Sequence, residues 1–134
     1  MSVPTLLTVD DSRIQRLAII EAFRPYECTI VQAANGEEGL LAVQTHRPDL
    51  ILLDYNMPVL DGLGMLTRLR AEPDFKRIPV IMLTANSAPA TIAAVARLGV
   101  RDYMTKPFNN DALVAKVARL VTLNAITEPG ATAL

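Results

Sequence analysis

Five polar residues stand at, or just past, the ends of short apolar runs. Asp10 and Asp11 follow Thr5 to Val9, Asp54 follows Leu50 to Leu53, Thr84 follows Val80 to Leu83, and Lys106 follows the run containing Tyr103 and Met104. If these runs are strands of one sheet, the five side chains meet at one end of it. Three carboxylates brought together repel, and the repulsion is relieved by a proton on one of them or by a cation joining them. A small hard cation, Mg²⁺, suits such oxygen donors, held by one or two carboxylates with waters and a phosphate oxygen. The Lys106 ammonium can meet charge developing on a phosphoryl oxygen, and the Thr84 hydroxyl can donate to the same group. A carboxylate facing all three is arranged to attack phosphorus, giving an aspartyl phosphate. Each residue alone says little, because an Asp at a strand end is usually a cap or turn residue. The set, with every member on its own strand, carries the reading.

The elements that must position these residues follow from hydrophobic patterning. Leu50–Leu53 runs straight into Asp54 and a Pro-containing turn, which suits a strand buried on both faces of a parallel sheet. Ser12 is placed to cap a helix with Ile14, Leu17, Ala18 and Ala22 as its apolar positions, closed by Pro25. Cys28 to Ala33 is a second strand, ended by Asn35-Gly36. A second helix follows with Leu40, Leu41 and Val43 apolar, stopped by Pro48. Asp61-Gly62 opens a third, with Leu63, Leu66 and Leu69 inward and Arg68 and Arg70 outward. Pro89 begins a fourth helix that ends at Gly99, and Asn109 caps a fifth carrying Leu113, Val117 and Leu120. Five strands alternating with five helices predict an α/β fold, a doubly wound five-stranded parallel sheet of order 2-1-3-4-5 with the flavodoxin-like arrangement. In such sheets ligands bind at the carboxyl ends of the strands, where strands one and three lie side by side.

Composition bounds the class. The chain has 134 residues, enough for one domain, with 51% hydrophobic and 20% charged residues. A formal net charge of −1 supplies no field for nucleic acid or an acidic membrane surface. One cysteine, Cys28, excludes an internal disulfide framework and fits a reducing compartment. No signal peptide or membrane-spanning apolar run is visible, so a cytoplasmic protein is expected. Residues 1–124 are expected to form the domain and 125–134 a flexible C-terminal tail.

The stretches Val9-Asp10-Asp11-Ser12, Asp54 to Gly62, Thr84-Ala85 and Lys106-Pro107-Phe108 stand in order. In them the chain resembles the receiver domain of bacterial response regulators, the CheY-like family of two-component signalling, over roughly residues 6 to 121. The resemblance implies a phosphorylation-activated switch that takes a phosphoryl group from a histidine kinase or phosphotransfer protein onto Asp54, with Mg²⁺ as cofactor. It is not a conventional enzyme, since the domain itself catalyses phosphorylation and dephosphorylation. By the same resemblance Asp10 and Asp11 hold the metal together with Asp54 and the Asn56 backbone carbonyl. Thr84 and Lys106 contact the phosphoryl group, Tyr103 is the aromatic switch residue that follows Thr84, and the Lys106–Pro107 peptide is cis. Asn56 and Asn86, neutral amides flanking the route of the hydrolytic water, imply dephosphorylation neither unusually fast nor blocked. The family uses the surface of the fourth helix, fifth strand and fifth helix for output, and Arg101 stands where dimerising members commonly have an acidic residue. A monomer or weak dimer is therefore expected.

Two other classes compete. A Mg²⁺-dependent phosphatase or phosphotransferase could use the same aspartyl-phosphate intermediate, but it would need a substrate-covering cap for which the chain has no long insertion. An FMN carrier would want a Ser/Thr/Gly-rich loop after the first strand, where Asp10 and Asp11 would repel the phosphate. His46, the single histidine, is read as a solvated residue in the last turn of the second helix, where positive charge suits the helix dipole. Cys28 is read as a small core residue.

Overall fold

The computed structural model describes residues 3–85 and 88–126. Its elements are β1 (Thr5–Val9), α1 (Arg13–Phe23), β2 (Thr29–Ala33), α2 (Gly36–His46), β3 (Leu50–Asp54), α3 (Gly62–Ala71), β4 (Val80–Thr84), α4 (Pro89–Arg97), β5 (Asp102–Thr105) and α5 (Asn110–Ala118). The strands are all parallel in the order β2-β1-β3-β4-β5, the predicted doubly wound sheet. Every residue of β3 and β4 is buried, which is what apolar runs without alternation require of central strands covered on both faces.

Period-two alternation divides the core in two. Leu7, Val9, Ile51, Leu53, Val80 and Met82 pack with Val43, Met65, Leu66, Leu69 and Val95 on the side of α2, α3 and α4. Leu6, Leu50, Leu52, Ile81 and Leu83 pack with Ile19, Phe23, Leu113 and Val117 on the side of α1 and α5. Asp10 and Asp54 continue the second series, so both belong to the face covered by α1 and α5.

Several helices present other faces than their apolar positions suggested. In α1 the buried residues are Ile19 and Phe23, whereas Ile14 is 80% exposed and Leu17 and Ala18 are also exposed. In α2 Val43 is buried, Leu40 is half-buried, and Leu41 faces solvent. Arg70 does not point outward. Its guanidinium is half-buried and donates to the carbonyls of Leu98, Lys76 and Ile78, tying α3 to the end of α4 and to the connection before β4. Leu120 lies past the end of α5 and is partly exposed.

Ser12 and Asn109 cap the helices expected of them, Asp61 caps the helix that Asp61-Gly62 opens, and Asn35, which the sequence marks only as a turn residue, caps α2. Ser12, Asn35, Asp61 and Asn109 each accept from a backbone N–H in the first turn of their helices. Gly99 takes φ +83° just after α4, a left-handed conformation suited to glycine at a helix C-terminus. His46 is exposed in the last turn of α2, and Cys28 is half-buried against the α1/α5 side of the core. Residues 127–134 of the expected tail lie outside the described residues. Its first two residues, Ala125 and Ile126, are held in place. Ala125 bridges Tyr26 in antiparallel fashion, Glu27 N–H donates to Asn124 at 2.8 Å, and Ile126 N–H donates to Pro25 at 2.8 Å.

Candidate functional site at the carboxyl ends of the strands

The sheet brings the predicted carboxylates together. One oxygen from each of Asp10, Asp11 and Asp54 lies within 4.8 Å of the others. Asp10 and Asp54 are buried and Asp11 is exposed, so the cluster opens to solvent on the Asp11 side. Asp54 ends the central strand β3, and the glycine that opens α3 allows the turn after it. A Cβ on Gly62 would fall 2.3 Å from the Asp54 carbonyl oxygen and 2.9 Å from Tyr55 Cα, and Gly62 N–H donates to Tyr55 at 2.9 Å. Only a residue without a side chain lets α3 start this close to the strand end.

Lys106 is the counter-charge. Its Nζ lies 2.9 Å from Asp10 Oδ2 and 3.2 Å from Asp54 Oδ1, with the Lys106 side chain 19% exposed. Its backbone N–H donates to the Thr84 carbonyl at 2.8 Å, and the Lys106–Pro107 peptide is cis. Thr84, buried at the end of β4, pairs in register with Thr105. Asn56 is exposed in the turn after β3, and Tyr103 is exposed on the edge strand β5. Asn86 lies outside the described residues.

Charge and burial set the ionisation of this cluster. Burial pushes the Asp54 carboxyl above the ordinary carboxylate range. The negative charge of Asp10 adds to this, Lys106 opposes it, and Asp11 adds a smaller push. Burial works against the Lys106 ammonium, but its hydrogen bond to Asp10 and the charges of Asp10 and Asp54 outweigh burial and hold it above its usual value. The arrangement is one ammonium shared between two buried carboxylates, with a third carboxylate at the rim. Its donor set is oxygen only, which fits a small hard cation rather than a metal that prefers nitrogen or sulfur.

Ser12 N–H donates to Asp10 Oδ1 at 2.9 Å. Two residues not anticipated from sequence, Arg16 and Gln32, complete the surroundings of Asp10: the Arg16 guanidinium donates through Nη1 to the Asp10 carbonyl and through Nε to Gln32 Oε1 at 3.1 Å. No local spacing marks Arg16 and Gln32 as partners, because they lie on α1 and β2 and meet only in the folded sheet.

The same organisation recurs in known proteins. The family model for the response regulator receiver domain matches residues 6–118. The transcriptional regulatory protein PrrA of Mycobacterium tuberculosis is 37% identical over 118 residues, covering 88% of this chain and 50% of PrrA. The hybrid signal transduction histidine kinase D of Dictyostelium discoideum is 35% identical, over 90% of this chain and 8% of that kinase. The chain thus spans half or less of these two relatives. Among solved structures, chemotaxis protein CheY4 of Vibrio cholerae superposes with a TM-score of 0.84 at 29% identity, over 90% of this chain and all of that one. The receiver domain of the sensor histidine kinase PA1611 from Pseudomonas aeruginosa, solved with a magnesium ion coordinated in its active-site cleft, gives a TM-score of 0.80 at 28% identity over 89% of this chain and 98% of that one. A regulator, a hybrid kinase and a chemotaxis protein do not favour the small-molecule phosphatase. A family match across nearly the whole sheet, on a fold whose acidic strand tips converge as described, makes this chain a member of the response regulator receiver domain family, the phosphorylation-activated switches of two-component signalling.

Proposed function

We propose that Asp54 is the phosphoacceptor of this receiver and that the domain catalyses its own phosphorylation and dephosphorylation. The observation that carries the reading is the shared ammonium: Lys106 lies within 3.2 Å of both Asp10 and Asp54, the two buried members of a three-carboxylate cluster. A carboxylate oxygen of Asp54 attacks the phosphorus of a phosphohistidine, the P–N bond breaks, and the imidazole leaves with its electron pair and takes up a proton. Lys106 holds one Asp54 oxygen in place and lies where charge develops on the transferring phosphoryl oxygens. The Thr84 hydroxyl donates to the same group. Asp10, Asp11, Asp54 and the Asn56 carbonyl would hold Mg²⁺, which when bound neutralises charge on the carboxylates and the phosphoryl oxygens. Tyr103 and Thr84 form the switch pair that shifts the population from an inactive to an active surface.

The partners in this reading are a histidine kinase or phosphotransfer protein on the input side and a downstream protein on the α4, β5, α5 face, with the receiver a monomer or weak dimer in the cytoplasm. The signalling unit is residues 1–124, with 125–134 the segment that follows it. No helix among the described residues is long and apolar enough to cross a membrane. Intact mass after incubation with acetyl phosphate tests the reading. One phosphoryl group is expected on the wild type with Mg²⁺, and none without Mg²⁺ or on Asp54→Asn. Equal labelling of the Asp54→Asn variant would refute it.

A further inference from the structure

We propose that Arg16 is a positioning residue for the acidic cluster, held in place by Gln32 on the edge strand β2. The inference rests on the reading of that cluster as the Mg²⁺ site. At the end of β1 the ladder runs out: Asp10 N–H still donates to the Ala33 carbonyl at 3.0 Å, and beyond it the chain turns into α1. The Asp10 carbonyl belongs to the peptide unit that joins Asp10 to Asp11. That unit is planar, so fixing its oxygen fixes the plane to which both acidic residues are attached. Arg16 Nη1 donates to this oxygen.

One contact would leave a long side chain free to swing. The second, from Nε to Gln32 Oε1 at 3.1 Å, holds the planar guanidinium at two points. A lysine, with a single flexible ammonium, cannot reproduce such a fork. Among the described residues Arg16 makes no salt bridge, so its guanidinium serves as a hydrogen-bonding fork rather than as the partner of a carboxylate. Arg16 thus sets the direction of Asp10 and Asp11 without touching the ion they would hold.

The proposal differs in sign from a charge effect. A bare cation near the cluster repels Mg²⁺, so removing it would tighten binding, by an amount that salt screens. Removing a positioning residue weakens binding, and outer partners of metal ligands typically change affinity by roughly tenfold or more. The experiment is a MgCl₂ titration followed by amide shifts in ¹H–¹⁵N NMR spectra, with thermal unfolding measured in parallel. Arg16→Lys, which keeps the charge, and Arg16→Met, which removes it, are both expected to bind Mg²⁺ about tenfold more weakly. Gln32→Leu, an exposed change that leaves Arg16 in place, moves affinity in the same direction by a smaller factor. Arg24→Met, which removes the exposed Glu21–Arg24 pair further along α1, is expected to match the wild type. Tighter binding by Arg16→Met, or wild-type affinity in Arg16→Lys and Gln32→Leu, would overturn the proposal. A wild type that binds no Mg²⁺ overturns the metal-site reading itself and this inference with it, and is told apart by failing before any variant is compared.

Discussion

Replacing Lys106 by methionine removes the ammonium that holds Asp10 and Asp54 together while keeping an unbranched side chain in its place. At an effective dielectric of about 20, unit charges at the observed separations of 2.9 and 3.2 Å attract by roughly 5 kcal/mol each. The carboxylates, within 4.8 Å of one another, repel by about 3.5 kcal/mol or more on the same scale. Desolvation of the ammonium, several kcal/mol, is recovered when it is removed, so the net loss is smaller than the attraction. Breaking a buried pair by removing one partner typically costs 3–5 kcal/mol, and the partial exposure of Lys106 places this case near the lower end, about 3 kcal/mol. For a domain of this size that corresponds to a fall in Tm of roughly 10 °C.

The assay is thermal unfolding by circular dichroism at neutral pH, in EDTA and again in excess Mg²⁺. Two outcomes are expected: the Lys106→Met variant melts about 10 °C lower than the wild type in EDTA, and Mg²⁺ raises its Tm by more than it raises that of the wild type. The second follows because the variant has more uncompensated negative charge at the site and so binds the cation more tightly, and a ligand at free concentration L that binds only the folded state stabilises it by RT ln(1 + L/Kd). The sign with pH also follows. The Lys106 ammonium is held above its ordinary value of 10.5, so its contribution is complete at neutral pH and is lost only in alkali. Acid that protonates Asp54 narrows the gap between variant and wild type. Equal Tm values in EDTA would refute the electrostatic account of the site.

Asp54→Asn is expected to raise Tm at neutral pH and to flatten the fall of stability as pH rises from 4 toward neutrality. A carboxyl whose folded value lies above its ordinary 3.8 binds its proton more tightly in the folded state, so its stabilisation is present in acid and is lost as it ionises; a pH series of melting curves checks this. Thr8→Val is expected to gain about 1 kcal/mol, because the buried Thr8 Oγ1 has no hydrogen-bond partner among the described residues and a methyl group removes that penalty, read as a higher urea midpoint at unchanged slope. Val59→Asn is expected to gain roughly 1 kcal/mol by the same measurement, since Val59 is 80% exposed and adopts φ 69°, a region that asparagine tolerates and β-branched residues do not.

The sheet and its strand tips were legible because period-two burial and buried apolar runs leave little choice of face: once β1 and β3 are neighbours, Asp10 and Asp54 must meet. Helix faces were less legible. In α1, Ile14, Leu17 and Ala18 make one apolar stripe and Ile19 and Phe23 another, and only the position of the helix against β1 and α5 decides that the second is buried. The same holds for Leu41 in α2. Arg70 reads as a surface cation by composition, yet three carbonyls at the end of α4 and before β4 draw its guanidinium inward at 2.8–2.9 Å. Contacts of this kind join residues far apart in the chain and have no local pattern to announce them.

The two halves of the site differ in how freely they can answer a change of charge. Asp10 and Asp54 end strands that are hydrogen-bonded on both sides, β1 between β2 and β3, and β3 between β1 and β4. Lys106 and Tyr103 belong to the edge strand β5 and its continuation, four residues long with alternate positions exposed. A phosphoryl group on Asp54 would add a charge of about −1.5 to −2 beside this ammonium. The central strands cannot shift without breaking ladders on both flanks, so displacement falls on β4's end, β5 and the helices beside them. β2 is the other edge strand, but it carries neither a carboxylate nor the ammonium of the site, so phosphorylation is expected to be felt on the α4, β5, α5 side and hardly on β2. Amide hydrogen exchange with and without a phosphoryl mimic checks this: protection is expected to change over residues 88–106 and to stay constant over Thr29–Ala33, and the opposite distribution would mean that β5 is not where the site gives way.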